Sequence, residues 1–137
     1  MRRIRNMVRG FTLIEVLIVL AVIAALLSIV TPIALNAVAQ AKAAQVAANF
    51  RNIRTAVESY IYTTGETPND LNDLVSKGYL SSAPQKFSIS ITEAATTITI
   101  TINSTETADA TRVRQFLPEV IGTSGDMTLY ATVVKWK

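Results

Sequence analysis

The carboxylate of Glu15 and the Gly10-Phe11 junction ahead of it are the positions best placed to do chemistry. Glu15 lies one turn into an apolar stretch, where a lone carboxylate is expensive in lipid unless a cation neutralises it. In the uncut chain Arg9 and Arg5 can serve. If the chain is cut after Gly10, the new ammonium at Phe11 lies four residues from Glu15 and can neutralise the Glu15 of a neighbouring copy. The chemistry is then charge pairing between chains, and it selects for assembly.

The other ionisable groups form no catalytic constellation. The 137 residues include no histidine and no cysteine, which removes disulfides, thiolate nucleophiles, Cys/His zinc sites and the residue most often used as a base near neutral pH. The carboxylates from Glu66 to Asp126 are scattered, mostly beside turns, with no phosphate loop or nucleophile elbow to organise them. Asp70 and Asp73 can share a helix face, which capping explains. Asp109 and Asp126 with backbone carbonyls are the nearest thing to a loop calcium site, without EF-hand spacing. The chain is therefore read as non-enzymatic and without a cofactor. Arg112 and Arg114, on alternate positions, and Lys135-Trp136-Lys137, an aromatic between two lysines, are candidates for contact with DNA through phosphate and base stacking. The competing reading is a solvated terminus whose Trp136 completes a small core. The net charge of +3 lends the DNA reading little, since four of the 13 basic residues are Arg2, Arg3, Arg5 and Arg9 and the rest of the chain is slightly acidic.

Positioning Glu15 falls to a long helix. Val16 to Leu35 is apolar apart from Ser28, Thr31 and Pro32, and as a helix it is ~30 Å long, about the thickness of a bilayer's hydrocarbon core. The arginines ahead of it favour a cytoplasmic N-terminus, with the body of the chain across the membrane. A secretory signal cut near Ala37-Val38-Ala39, a plain signal anchor and a leader cut before Phe11 all compete for this segment, and Glu15 is the residue that separates them. From Ala34 to Tyr62 there is no Gly or Pro, and Val46, Phe50, Ile53, Val57 and Tyr60 trace one apolar face. A single helix from Phe11 to Tyr62 is expected, with a kink or local loosening at Pro32.

Residues 63–137 are expected to form a small head that folds as one domain with the second half of that helix. Thr67-Pro68-Asn69-Asp70 reads as a helix start with Thr67 as cap, Leu71, Leu74 and Val75 as buried stripe, and Lys77-Gly78 as last turn and C-cap. Phe87, Ile89 and Ile91 alternate with Ser88, Ser90 and Thr92, and Ile98, Ile100 and Ile102 alternate with Thr97, Thr99 and Thr101, predicting two antiparallel strands. A third strand, Met127 to Val134, turns Met127, Leu129, Ala131 and Val133 to one side. Asp109 to Leu117 reads as a short helix stopped by Pro118, and Gly122 and Gly125 mark a turn. The Ser/Thr-rich sheet face is a solvated surface, a site for O-linked sugars or, at its edge, a docking strand. Asn103-Ser104-Thr105 fits an N-glycosylation pattern.

A short basic leader ending in Gly10, then Phe11, then Glu15 at the fifth position after the junction, then a long apolar helix with Pro32, closely resembles the class III signal of type IV pilins and the related pseudopilins of type II secretion. The detailed match covers about residues 9 to 35. The segment from Leu71 and Leu74 to Gly78-Tyr79-Leu80 is similar in layout to one many of these proteins carry. The resemblance implies the α+β pilin fold, a long N-terminal helix, transmembrane in its first half and packed by its second half on a small antiparallel sheet. It implies a leader at 1–10 removed between Gly10 and Phe11 by a prepilin peptidase, N-methylation of Phe11, a filament-core helix at 11–35, its amphipathic continuation at 36–62 and a head at 63–137. Phe11, Glu15 and Pro32 are then assembly residues. The implied partners are further copies in a helical filament, minor pilins, an inner-membrane assembly platform with cytoplasmic ATPases, and in some systems DNA. The implied locations are the cytoplasmic membrane before assembly and the cell surface after it. A periplasmic pseudopilus for secretion or competence is the alternative, and a monomeric membrane-anchored binding module is the other class of reading.

Overall fold

The computed structural model describes residues 10–135. Helix α1 runs Leu13–Thr64, two residues further along than the expected limits at each end. The chain divides into two units, one ending at Ala37 and one beginning at Val38.

In the first unit every described residue is exposed, including the whole apolar stretch. A helix that is apolar all round has no solvated face to offer water, and α1 is long and apolar enough to cross a membrane. Two of its polar side chains are satisfied within the helix: the Ser28 hydroxyl donates to the Ala25 carbonyl at 2.7 Å and the Thr31 hydroxyl to the Leu27 carbonyl at 2.7 Å. Pro32 lies inside α1, and with no N–H it leaves the Ser28 carbonyl without its helical donor.

The second unit is an α+β domain, an arrangement consistent with the pilin fold. Here α1 buries Ala43, Val46, Ala47, Phe50, Ile53, Ala56, Val57, Tyr60 and Ile61, the predicted stripe widened by three alanines and Ile61. A four-stranded antiparallel sheet completes the core. Strands β1 (Phe87–Glu93), β2 (Thr97–Ser104), β3 (Ile121–Thr123) and β4 (Asp126–Val134) lie in the order β1-β2-β4-β3. Ile98, Ile100 and Ile102 of β2 and Met127, Leu129, Ala131 and Val133 of β4 are buried, as the period of two requires. Phe87 adds an edge-to-face contact with Phe50, ring centroids 5.0 Å apart.

Helix α2 (Leu71–Ser76) starts three residues later than the Thr67 cap predicts. The cap is Asp70, whose carboxylate accepts from the Asp73 N–H at 2.9 Å, while the Asp73 carboxylate accepts from the Asn69 N–H at 2.9 Å. Thr67 Oγ1 donates instead to Glu93 at 3.0 Å, and Pro68 is buried. Two carboxylates closing on the same turn outweigh one hydroxyl. The other end is as expected: Gly78 adopts a φ of +80°, and Tyr79 N and Gly78 N bond back to the Leu74 and Val75 carbonyls. Helix α3 (Ala110–Phe116) is capped by Asp109 and ends at Leu117, within the predicted limits. Strand β3 has no counterpart among the expected elements.

Candidate functional site

The N-terminus of α1 is built by a reciprocal cap. Thr12 N donates to Glu15 Oε2 at 2.8 Å and Thr12 Oγ1 donates to the same oxygen at 3.0 Å, while Glu15 N donates to Thr12 Oγ1 at 3.3 Å. This is a capping box, Thr at the cap and Glu three residues on, each satisfying a backbone N–H that the helix leaves without a partner. The signal was legible as Thr-x-x-Glu but stood behind the apolar setting of Glu15. Gly10, Phe11, Thr12 and Glu15 line one open hollow, so the structure gathers the junction and the carboxylate.

No ion pair involves Glu15 among the described residues. Its charge has hydrogen-bond donors but no cation there, and Arg5 and Arg9 lie outside the described residues. Phe11 is 91% exposed. At Gly10 an added methyl group would meet nothing within 4 Å, so the fold itself does not require glycine there.

The candidate DNA contacts among the described residues fall into two separate places. On α3, Arg112 Nε pairs with Asp109 at 3.3 Å, while Arg114 Nε donates to the Val120 carbonyl at 3.1 Å and its Nη2 to the Gly122 carbonyl. Lys135 Nζ pairs with Glu93 at 2.9 Å, beside the β1–β2 hairpin. Gly122 pairs with Met127 at the start of β4 and Lys135 follows its last residue, so the two places are separated by most of the strand, on the order of 25 Å. Trp136 and Lys137 lie outside the described residues.

Among the described residues no group of three or more Asp or Glu side chains could hold a metal. The Asp109 carboxylate caps α3, and the hydrogen bond from the Thr111 N–H, then those from Arg112, hold its pKa below the ordinary value. A hollow of about 650 Å³ between α1 and residues 78–84 is lined by Asn49, Asn52, Thr55, Ser59 and the loop, with no acid or base on its wall.

Residues 5–31 match the family described as the prokaryotic N-terminal methylation motif. The match contains Gly10, Phe11, Thr12 and Glu15 and ends at Thr31, within the exposed apolar run of α1. It indicates a precursor like those of type IV pilins or pseudopilins and points to a structural subunit. No curated protein and no solved structure matches the chain.

Proposed function

We propose that this chain is a structural subunit of a type IV pilus. Prepilin peptidase cuts between Gly10 and Phe11 and the Phe11 nitrogen is methylated. The subunit waits in the cytoplasmic membrane with its head outside the cytoplasm, and an inner-membrane platform with cytoplasmic ATPases and minor pilins draws it into a helical filament. Burial of the apolar helices supplies cohesion, pairing of Glu15 with the Phe11 ammonium of a neighbour sets register, and Pro32 helps the helices pack. The same surface on each copy then meets a different surface on the next, the geometry of an open filament.

The observation that supports this is a carboxylate with no cation beside it among the described residues, one turn into an apolar segment exposed on every side, inside the methylation motif. The absence of cysteine favours a second reading, a pseudopilin of a secretion or DNA-uptake system, because no disulfide braces the head against load.

Intact mass and N-terminal sequencing of protein from sheared surface filaments and, separately, from membranes test both. A methylated Phe11 start in the sheared fraction is expected; the same start confined to membranes favours the pseudopilus, and a start at Met1 or Gln40 overturns both. Because the fold tolerates a side chain at position 10, Gly10→Leu should leave folded, unprocessed protein in the membrane. Glu15→Ala should be inserted and processed but yield few filaments, and normal yield would remove the charge-register argument.

A further inference from the structure

The sheet has two open edges, and the phase of its hydrogen bonds says which residues form them. Thr105 N donates to the Lys86 carbonyl and Ala94 N to the Thr97 carbonyl, in the register of β1 on β2. The even residues of β1 therefore bond to β2, and the odd ones, Phe87, Ile89, Ile91 and Glu93, turn their N–H and C=O groups outward. Lys135 N donates to the Thr96 carbonyl, in the register of β4 on β2, so the even residues of β4 face away from β2. On that side β3 pairs with Asp126 to Thr128 and leaves Tyr130, Thr132 and Val134. Among the described residues no hydrogen bond reaches the main-chain groups that these two edges turn outward.

Natural sheets blunt an unused edge with proline, lysine, a bulge or a covering segment. Neither β1 nor β4 contains a proline or a lysine, and both pair with β2 residue for residue without a bulge. The two edges also fit each other. Phe87, Ile89 and Ile91 pack on the core side of the sheet, as do Leu129, Ala131 and Val133. In a parallel pair each odd residue of β1 bonds to the two even residues of β4 that flank it and lies beside an odd one. Both cores then lie on the same side of the joined sheet. An antiparallel pair sets odd against even and turns the second core to the opposite side. Charge favours the same direction. Lys86 precedes β1 and Glu93 ends it, while Asp126 begins β4 and Lys135 follows it, so parallel strands bring unlike charges to each end and antiparallel strands bring like ones. Lys86 and Lys135 have partners in their own head, Glu106 at 3.6 Å and Glu93 at 2.9 Å, and an ammonium with three donors can take a second.

We propose that β1 of one copy adds, parallel, to the open edge of β4 in the next, so that the sheets of neighbouring heads run on as one. The occupant is a second copy because the chain carries both halves of the joint, matched in hydrogen-bond phase, face and charge. Different surfaces meet, so a row of heads stays open at both ends. One such contact is short and weak, and it gains strength from heads held side by side. A membrane alone holds them so, and the inference does not depend on the pilus reading.

The test is disulfide cross-linking in a chain that has no cysteine of its own. Face matching and the position of β3 leave Ser90 or Ser88 of one copy beside Thr132 of the next, at ~4.8 Å, within disulfide reach. In a single head β2 lies between β1 and β4, which holds these residues at least ~9.6 Å apart, too far to bridge. Full-length Ser90→Cys/Thr132→Cys and Ser88→Cys/Thr132→Cys are placed in phosphatidylcholine vesicles and oxidised with copper phenanthroline. One of the two should give a ladder of multimers that reductant removes. Ser81→Cys/Thr132→Cys, with one cysteine on the loop after α2, should give none. Ile89→Pro and Val134→Pro, added to the cross-linking pair, each remove one outward N–H and no bond of the head's own sheet; each should weaken the ladder about fivefold. Val134, 66% exposed, decides the matter if Ile89→Pro fails to fold. No ladder from either pair, an equal ladder from the Ser81 pair, or a ladder unchanged by Val134→Pro would overturn the inference. So would a dominant dimer from Ser90→Cys alone, which would mean that β1 pairs with β1. A ladder from a chain that never shows a Phe11 start keeps the joint and removes the pilus reading; a Phe11 start without a ladder does the reverse.

Discussion

Glu15 has two sets of partners open to it, one within its own chain and one supplied by another. Within the chain, Thr12 gives it two hydrogen bonds and takes one back; in the proposed filament a neighbour's ammonium adds the charge that Thr12 lacks. The oddness of a carboxylate in an apolar helix was legible from the sequence, because a hydropathy pattern shows an exception plainly. Its local cap was less so, because the same residue had a more conspicuous explanation. Asp109 shows the opposite case, a carboxylate with an uncertain role in the sequence that the fold assigns to capping α3. Its lowered pKa has a definite sign: the stability it contributes is fully present above the ordinary carboxylate value and is lost as pH falls through the depressed folded-state value. Thermal unfolding of the full chain in detergent across the acid range should show this loss. Asp109→Asn, which can still cap, should weaken the acid dependence while lowering the neutral-pH midpoint by only a few degrees, roughly. Asp73 and Glu93, also held low, account for acid sensitivity that remains.

At the level of elements, the pattern of apolar residues predicted α1, α3, β1, β2 and β4 because each buries one face at a fixed period. The short pieces were set by other forces. Strand β3 has only three residues, all exposed, so it leaves no alternating pattern, and pairing with β4 alone defines it. The start of α2 was expected at Thr67 and lies at Asp70, and a contact of Thr67 with Glu93 helped decide it. The turn joining β3 to β4 offers a test of what a glycine does there. Gly122 and Gly125 both have positive φ, but a Cβ on Gly122 would lie 2.1 Å from the Asp126 carbonyl oxygen, whereas one on Gly125 meets nothing within 4 Å. Gly122→Ala should therefore cost at least about 2 kcal/mol and Gly125→Ala about 1 kcal/mol. Equal losses in denaturant unfolding would show that the clash at Gly122 is relieved by movement of the turn.

On the scale of the whole molecule, two solvents are written into one chain. The first unit exposes apolar side chains in every direction, and the second hides its own in a core of α1, α3 and the sheet. A fragment of residues 38–137 should therefore be soluble and folded without detergent, with a cooperative thermal transition and the circular dichroism of a mixed α/β domain. Aggregation or binding of a hydrophobic dye would mean that the core needs more than this unit. The closing segment of that core is held by three arginines, with no cysteine in the chain. Arg51 donates to the Phe116 carbonyl, Arg54 pairs with Glu119 at 2.7 Å, and Arg114 holds the Val120 and Gly122 carbonyls. Under tension such a fastening fails one hydrogen bond at a time and closes again as soon as the load is removed. A broken disulfide needs an oxidant to be remade; this head needs only to be let go.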